Sequence, residues 1–258
     1  MEFYSLGNKV IAFTTDRTQG RDAVKIQEQL NLYAAEHRLP LSADVNRFVY
    51  PHQTHTDRVA RITDDLFSKT IPQRKAILEG IDAVTSNEPH AIIGISTADC
   101  IPVVVYDAEH HAAAAIHAGW KGTVKRIVEK AIAEMKQAYG TNPAQCTAFI
   151  GPGISQDSFE VGQEVVDKFT EAGFQMTDYT IEMPDMHGRE GKRPHIDLKK
   201  INRQQLLSQG VLAENITVSD IDTYTDNRFF SARREQQPPL PDGTVVKCGR
   251  ILSGFILL

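Results

Sequence analysis

The chain has 258 residues, 33 acidic and 28 basic, for a net charge of −5, and 41% of it is hydrophobic. That is enough to bury a substantial core. No basic excess or polybasic block argues for nucleic acid or a membrane surface, which leaves a small molecule as the default substrate. No apolar run approaches the ~20 residues of a membrane span, and the opening MEFYSLGNKVIAFTT lacks the features of a signal peptide. The three cysteines, Cys100, Cys146 and Cys248, fit no disulfide framework. A reducing cytoplasm is the expected compartment, where an unpaired thiol can serve as ligand or nucleophile.

In chain order, KVIAFTT (9–15) reads as a buried strand, and RDAVKIQEQLNLYAAEHRL (21–39) as an amphipathic helix stopped by Pro40. RFVY (47–50) is a short strand entering PHQTH. A polar helical stretch follows, then GIDAVTSN (80–87) and AIIGIST (91–97). The apolar runs IPVVVYD (101–107) and HAAAAIHA (111–118) flank the short AEH, a pattern for an antiparallel hairpin. TVKRIVEKAIAEMKQAY (123–139) predicts a helix with Val124, Ile127, Val128, Ala131, Ile132 and Met135 on one face and Gly140 ending it.

TAFIGPGI (147–154) reads as a strand into a Gly-Pro turn. FEVGQEVVDKFTEAG (159–173) is helical in its second part. PDMHGREGKRPH (184–195) predicts an exposed loop, and IDLKKINRQQLLSQG (196–210) a helix. ITVSDIDTYT, FFSARRE and VVKCGRILSGFILL predict a strand-rich remainder, the last a core strand. No repeat or linker divides the chain. We expect one α/β domain over 1–258 with mixed strands, because helices and strands alternate too irregularly for a doubly wound parallel sheet.

Chemistry gathers on three strings: PHQTHTDRV, STADCIPVVVYD and AAAAIHAGWKGT. His55, Cys100 and His117 are donors that together would fill three of four tetrahedral zinc positions and leave one open, the catalytic pattern. Free cysteines are usually small buried hydrophobes. Here Asp99 before Cys100 and Pro102 after it mark a strand start at a rim. His52 lies three before His55, and on a loop only one need point inward. His37, His90, His110, His111, His187 and His195 read as surface residues, with 187 and 195 flanking a possible lid.

The turn Gly119-Trp120-Lys121-Gly122-Thr123 leads into a helix, whose free N–H groups with Lys121 would favour an anion such as phosphate. TYTDNRFFSARRE (223–235) is either a salt-bridged strand edge or a ligand wall. In the second case Phe230 would stack on a base and Arg233 and Arg234 would hold an anion. Cys146 and Cys248 read as buried.

Together QTH, TADCIPV, AAIHAGWKGT, IGPGI, FEVG, TYTDN and FFSARRE resemble one family. It is the bacterial laccase-domain family, labelled multicopper polyphenol oxidase and also described as purine nucleoside phosphorylase. The resemblance runs from about residue 10 onward, and TADC followed by HAGW is its most specific part. It implies a four-layer αββα sandwich of mixed sheets, similar to the catalytic domain of cytotoxic necrotising factor toxins. It implies zinc held by His55, Cys100 and His117, and not by His52. It implies phosphorolysis of adenosine, inosine, guanosine or methylthioadenosine, together with adenosine deamination.

For deamination, zinc would lower the pKa of a water, and Asp99 is the nearest carboxylate for proton transfer. For phosphorolysis, Arg17, Lys121, Arg233 and Arg234 are the phosphate candidates. Arg17 matches the arginine of a family string kept only in part as TTDRTQG, and Asp222 stands where many members have cysteine. Two other chemistries remain open. One is a copper phenol oxidase, against which stand nine scattered histidines without an H-x-H pair; copper bound adventitiously in vitro fits the same soft donors. The other is a metal-free hydrolase with Cys100 as nucleophile and His117 as base. The oligomer is expected to be a monomer or homodimer. A non-enzymatic ligand-binding role is the remaining alternative.

Overall fold

The computed structural model describes residues 1–41, 44–186, 188, 190–235 and 248–258. Its strands are β1 (Glu2–Tyr4), β2 (Val10–Thr14), β3 (Phe48–Val49), β4 (Val59–Ile62), β5 (Ala83–Ser86), β6 (Ile92–Thr97), β7 (Ile101–Asp107), β8 (Ala112–Ala118), β9 (Cys146–Ile150), β10 (Thr180–Pro184), β11 (Lys192–Ile196), β12 (Ile216–Val218) and β13 (Ile251–Leu257). Its helices are α1 (Ala23–Glu36), α2 (Asp64–Ser68), α3 (Ile71–Ile77), α4 (Trp120–Val124), α5 (Ile127–Tyr139), α6 (Gln163–Glu171), α7 (Leu198–Ser208) and α8 (Ala232–Glu235).

Two mixed sheets stack face to face. One has the order β1-β2-β13-β6-β3 and the other β12-β9-β7-β8-β5-β4. Both are apolar on each face, because each is sandwiched. Ala12, Ile93, Ile95 and Phe255 of the first sheet meet Val104, Tyr106, Ala113 and Phe149 of the second. On its outer face the first sheet packs Ile11, Phe13 and Ile256 against Ile26, Leu30 and Ala34 of α1. The second packs Val103, Val105, Ala114 and Ile116 against α5, α6 and α7. The result is the expected αββα layering. The run Ala112–Ala115 is fully buried, and its small side chains let α5 and the other sheet approach β8 closely.

The β7–β8 hairpin pairs Pro102 with His117 and Ile101 with Ala118. This register brings Cys100, just before β7, beside Gly119, just after β8.

Four expectations need correction. The helix predicted over 123–139 starts at Ile127, because Arg126 is left-handed (φ 62°). Its guanidinium is drawn aside by Glu129 at 2.8 Å and the Ala172 carbonyl at 3.2 Å, and it lies 4.5 Å from the Phe174 ring. The polar stretch after PHQTH holds β4, paired in parallel with β5, as well as two short helices. Within the loop predicted over 184–195, Lys192–Ile196 pairs antiparallel with Thr180–Pro184. A two-stranded ribbon consists of edges only, so its prolines are tolerated.

Finally, FFSARRE ends in α8 rather than a strand. Ser231 Oγ accepts from the Arg234 N–H at 3.1 Å, which caps the turn as a serine at a helix start does. In the last string β13 begins at Ile251, with Cys248 ahead of it. His187 and residues 245–247 lie outside the described residues.

Candidate functional site

His55, Cys100 and His117 converge from a loop, a turn and a strand end. Their ligand atoms all lie within 4.8 Å of one another, and Cys100 Sγ is 3.8 Å from His55 Nε2. Bonds of about 2.0–2.3 Å to one zinc would space these atoms about 3.3–3.7 Å apart. A small inward rotation closes that gap. His55 is exposed, Cys100 half-buried and His117 buried, so the triplet opens on the His55 side. The donor set fits a divalent metal of zinc or copper type.

The residue that organises this centre, Asp82, was not singled out in the sequence. Its carboxylate is buried at the start of β5. Oδ1 accepts from His117 Nδ1 at 2.7 Å and from the His55 N–H at 3.0 Å. Oδ2 accepts from the N–H groups of Thr54 and Thr56 and from the Thr56 hydroxyl. Three successive N–H groups therefore wrap one carboxylate and hold His55 in its left-handed backbone (φ 61°). One sequence signal existed: an aspartate inside the apolar string GIDAV is a buried charge in need of partners.

Gly119 supplies a second constraint. A Cβ there would lie 2.8 Å from Cys100 Sγ and 3.1 Å from His55 Cδ2. Only a hydrogen fits against two of the ligands.

Electrostatics follow the geometry. Burial alone would raise the Cys100 thiol, but the charge of His117 and hydrogen bonds from both imidazoles outweigh it, bringing it down to about 6. Burial alone would lower His117, yet the Cys100 thiolate and Asp82 hold it up at about 9. Burial likewise opposes ionisation of Asp82, and His117 and Thr56 pull it down to about 2. Cys146 and Cys248 go the other way, raised to about 12 and about 11, mainly by burial. In metal-free protein the Cys100 thiolate therefore forms as pH rises through about 6. Iodoacetamide should label Cys100 alone, with a rate that climbs around pH 6 and levels off above it, and added zinc should block the reaction. Peptide mass spectrometry across a pH series checks this; a labelling midpoint near the ordinary thiol value would contradict it.

The remaining sequence candidates divide. Asp99, with φ 81°, accepts at Oδ1 from the Thr223 hydroxyl and at Oδ2 from the Ser231 hydroxyl and the Arg233 N–H. These bonds tie the 223–235 segment to the turn carrying Cys100. Arg234 also departs from the anion-holding expectation. Its donors go to the carbonyls of Thr223, Tyr224 and Phe229 and to Glu235. Arg17 donates to the Phe229 carbonyl, pairs with Glu235 and lies 4.5 Å over the Phe230 ring. Phe230 thus stacks on Arg17.

Arg233 donates to the Glu160 carbonyl at 2.8 Å through one nitrogen. Lys121 is exposed, with its ammonium 5.6 Å from the Trp120 ring. The helix it sits on, α4, has five residues, too short for the macrodipole argument. His52 turns to Glu79 at 2.9 Å, away from the triplet. His195, expected at the surface, is fully buried, with Nδ1 3.2 Å from the Gln156 carbonyl. Asp222 accepts from the Ser155 and Ser158 hydroxyls.

A mixed αββα sandwich with a His–Cys–His metal-type centre at the rim of its hairpin defines the class. The chain belongs to the family described as multi-copper polyphenol oxidoreductase laccase, whose model matches residues 13–257. It is 42% identical over 210 residues to a purine nucleoside phosphorylase of Bacteroides thetaiotaomicron, covering 81% of this chain and 73% of the relative. It is 38% identical over 216 residues to adenosine deaminase RL5 of an unknown prokaryotic organism, covering 83% and 79%. The crystal structure of Bacillus licheniformis hypothetical protein YfiH shares the fold, with a TM-score of 0.75 at 24% identity over 99% of both chains. No helix among the described residues is long and apolar enough to cross a membrane.

Proposed function

We propose that the chain acts, as one domain, as a zinc-dependent purine nucleoside phosphorylase with adenosine deaminase activity. It would convert adenosine, inosine, guanosine or methylthioadenosine and phosphate to the free base and ribose 1-phosphate. The observation that carries this reading is the three-ligand centre with an open side, in a chain 42% identical to a protein named for that reaction. Bound there, zinc would supply Lewis acidity and lower the pKa of a water.

The protein's own groups do the rest. Asp82 orients His117, and the imidazoles and thiolate face one point. Arg17 and Arg234 both pair with the Glu235 carboxylate, so of the four candidates we assign the phosphate first to Arg233 and Lys121. A cavity of about 1390 Å³ flanks the loop that leads to His55 and ends short of the triplet, lined by Arg21, Phe48, Tyr50, Gln53, Ser96 and Arg250 among others. It has room for a nucleoside, since pockets for small-molecule ligands run about 300–1,000 Å³.

Inosine should yield hypoxanthine only when phosphate is present, and chelation should stop the reaction. Chromatography of a nucleoside panel on metal-quantified protein tests it, and no base release from zinc-loaded protein would sink it. The low thiol pKa beside an imidazolium favours one second reading, Cys100 as a nucleophile without metal. Activity that survives complete metal removal would select that reading instead.

A further inference from the structure

We propose that Asp82 is a positioning residue that fixes the ring tautomer of His117 and thereby delivers its Nε2 lone pair to the metal. The inference rests on the metal-centre reading above. Both carboxylate oxygens of Asp82 face donors. Oδ1 meets His117 Nδ1 and the His55 N–H; Oδ2 meets the Thr54 and Thr56 N–H groups and the Thr56 hydroxyl. A carboxylate is an acceptor on both sides. It therefore requires the ring proton on Nδ1, and Nε2 is left for coordination. His117 is further fixed by its own N–H, which donates to the Asp82 carbonyl at 2.8 Å. One residue thus holds a ligand ring by its side chain, the same ligand's strand by its main chain, and the loop of a second ligand.

Asparagine at this position has nearly the same shape but must turn an NH2 group to one side. On the Oδ2 side that group would oppose two backbone N–H donors, which cannot change role. On the Oδ1 side it would oppose only one, because the imidazole can become an acceptor by moving its proton to Nε2. The second orientation costs less, and it caps the nitrogen that the metal needs. Loss of outer partners of this kind costs about 10–100-fold in metal affinity.

The test is Asp82→Asn alongside the wild type. Zinc affinity is measured by chelator competition, the His117 proton by ¹⁵N–¹H correlation spectra, and stability by thermal unfolding of the metal-free proteins. We expect zinc-loaded wild type to carry the His117 proton on Nδ1. We expect Asp82→Asn to bind zinc about 10–100-fold more weakly, with the neutral ring of the metal-free variant protonated on Nε2. Unchanged affinity and tautomer, even with lowered stability, would overturn the inference and leave the metal centre standing. If the variant does not fold, the wild-type spectrum decides, since a proton on Nε2 in the zinc-loaded protein overturns it. A wild type that binds no zinc overturns both the inference and the reading beneath it.

Discussion

Cys100→Ala should reduce bound zinc from about one equivalent per chain to near none and cut nucleoside turnover by more than 100-fold. The reasoning is chemical. Cys100 is the only anionic donor of the triplet, its thiol lowered to about 6 by the histidines around it. Removing an outer partner already costs about 10–100-fold in affinity, so removing a ligand costs more. The fold should survive, since Cys100 sits in a half-buried turn and not in a sheet. Zinc should therefore raise the melting temperature of wild type by mass action and leave that of the variant unchanged. Cys146→Ala is the control. That thiol is fully buried in β9, so its loss should lower stability while zinc content stays near one. Elemental analysis of both variants, with melting curves with and without zinc, checks the pair. Zinc retained by Cys100→Ala would mean that the metal lies elsewhere.

Gly254→Ala should be the most damaging small substitution for stability. Gly254 in β13 is the register partner of Gly94 in β6, and both lack a Cβ where the strands come closest. A Cβ on Gly254 would lie 2.1 Å from the Ile93 carbonyl oxygen and 2.7 Å from the Gly94 Cα. Those are backbone atoms that cannot swing away, so the two central strands would have to separate. Overpacking of this kind costs about 3 kcal/mol, or roughly 10 °C in melting temperature for a chain of this size. Gly173→Ala makes a useful comparison, because its Cβ meets nothing within 4 Å and only its positive φ is strained, at about 1–2 kcal/mol. Thermal unfolding ranks the two. A Gly254→Ala variant as stable as Gly173→Ala would show that the sheet is far more pliant than its geometry implies.

What could be read from the sequence follows from how locally each feature is determined. The β7–β8 hairpin was legible because two apolar runs of strand length flank a short polar break, and its pairing alone carries Cys100 to Gly119. That His55, Cys100 and His117 come together was legible in part for the same reason, with two of the three at the ends of that hairpin. Arg126 was not: its left-handed turn comes with guanidinium contacts to Ala172 and Phe174, 46 and more residues away. Nor was the fate of Arg234. A guanidinium suits a phosphate and three carbonyls equally well, and only the folded 223–229 turn decides between them. Asp82 was hidden because its partners lie 26 to 35 residues away on both sides of β5. Its short side chain and apolar neighbours gave no hint of which donors would surround it.

The strand order of the first sheet has a consequence for how the molecule is made. β2 and β6 never touch each other; β13 lies between them, and Thr14 bonds to Ser253 across 239 positions of sequence. During synthesis both neighbours emerge early and must wait, with bare apolar edges, for a partner translated long afterwards. Pairings this distant fold slowly and leave strand edges open to other chains. Yield in a cell should therefore depend on growth temperature and holding chaperones more steeply than the finished protein's stability would imply.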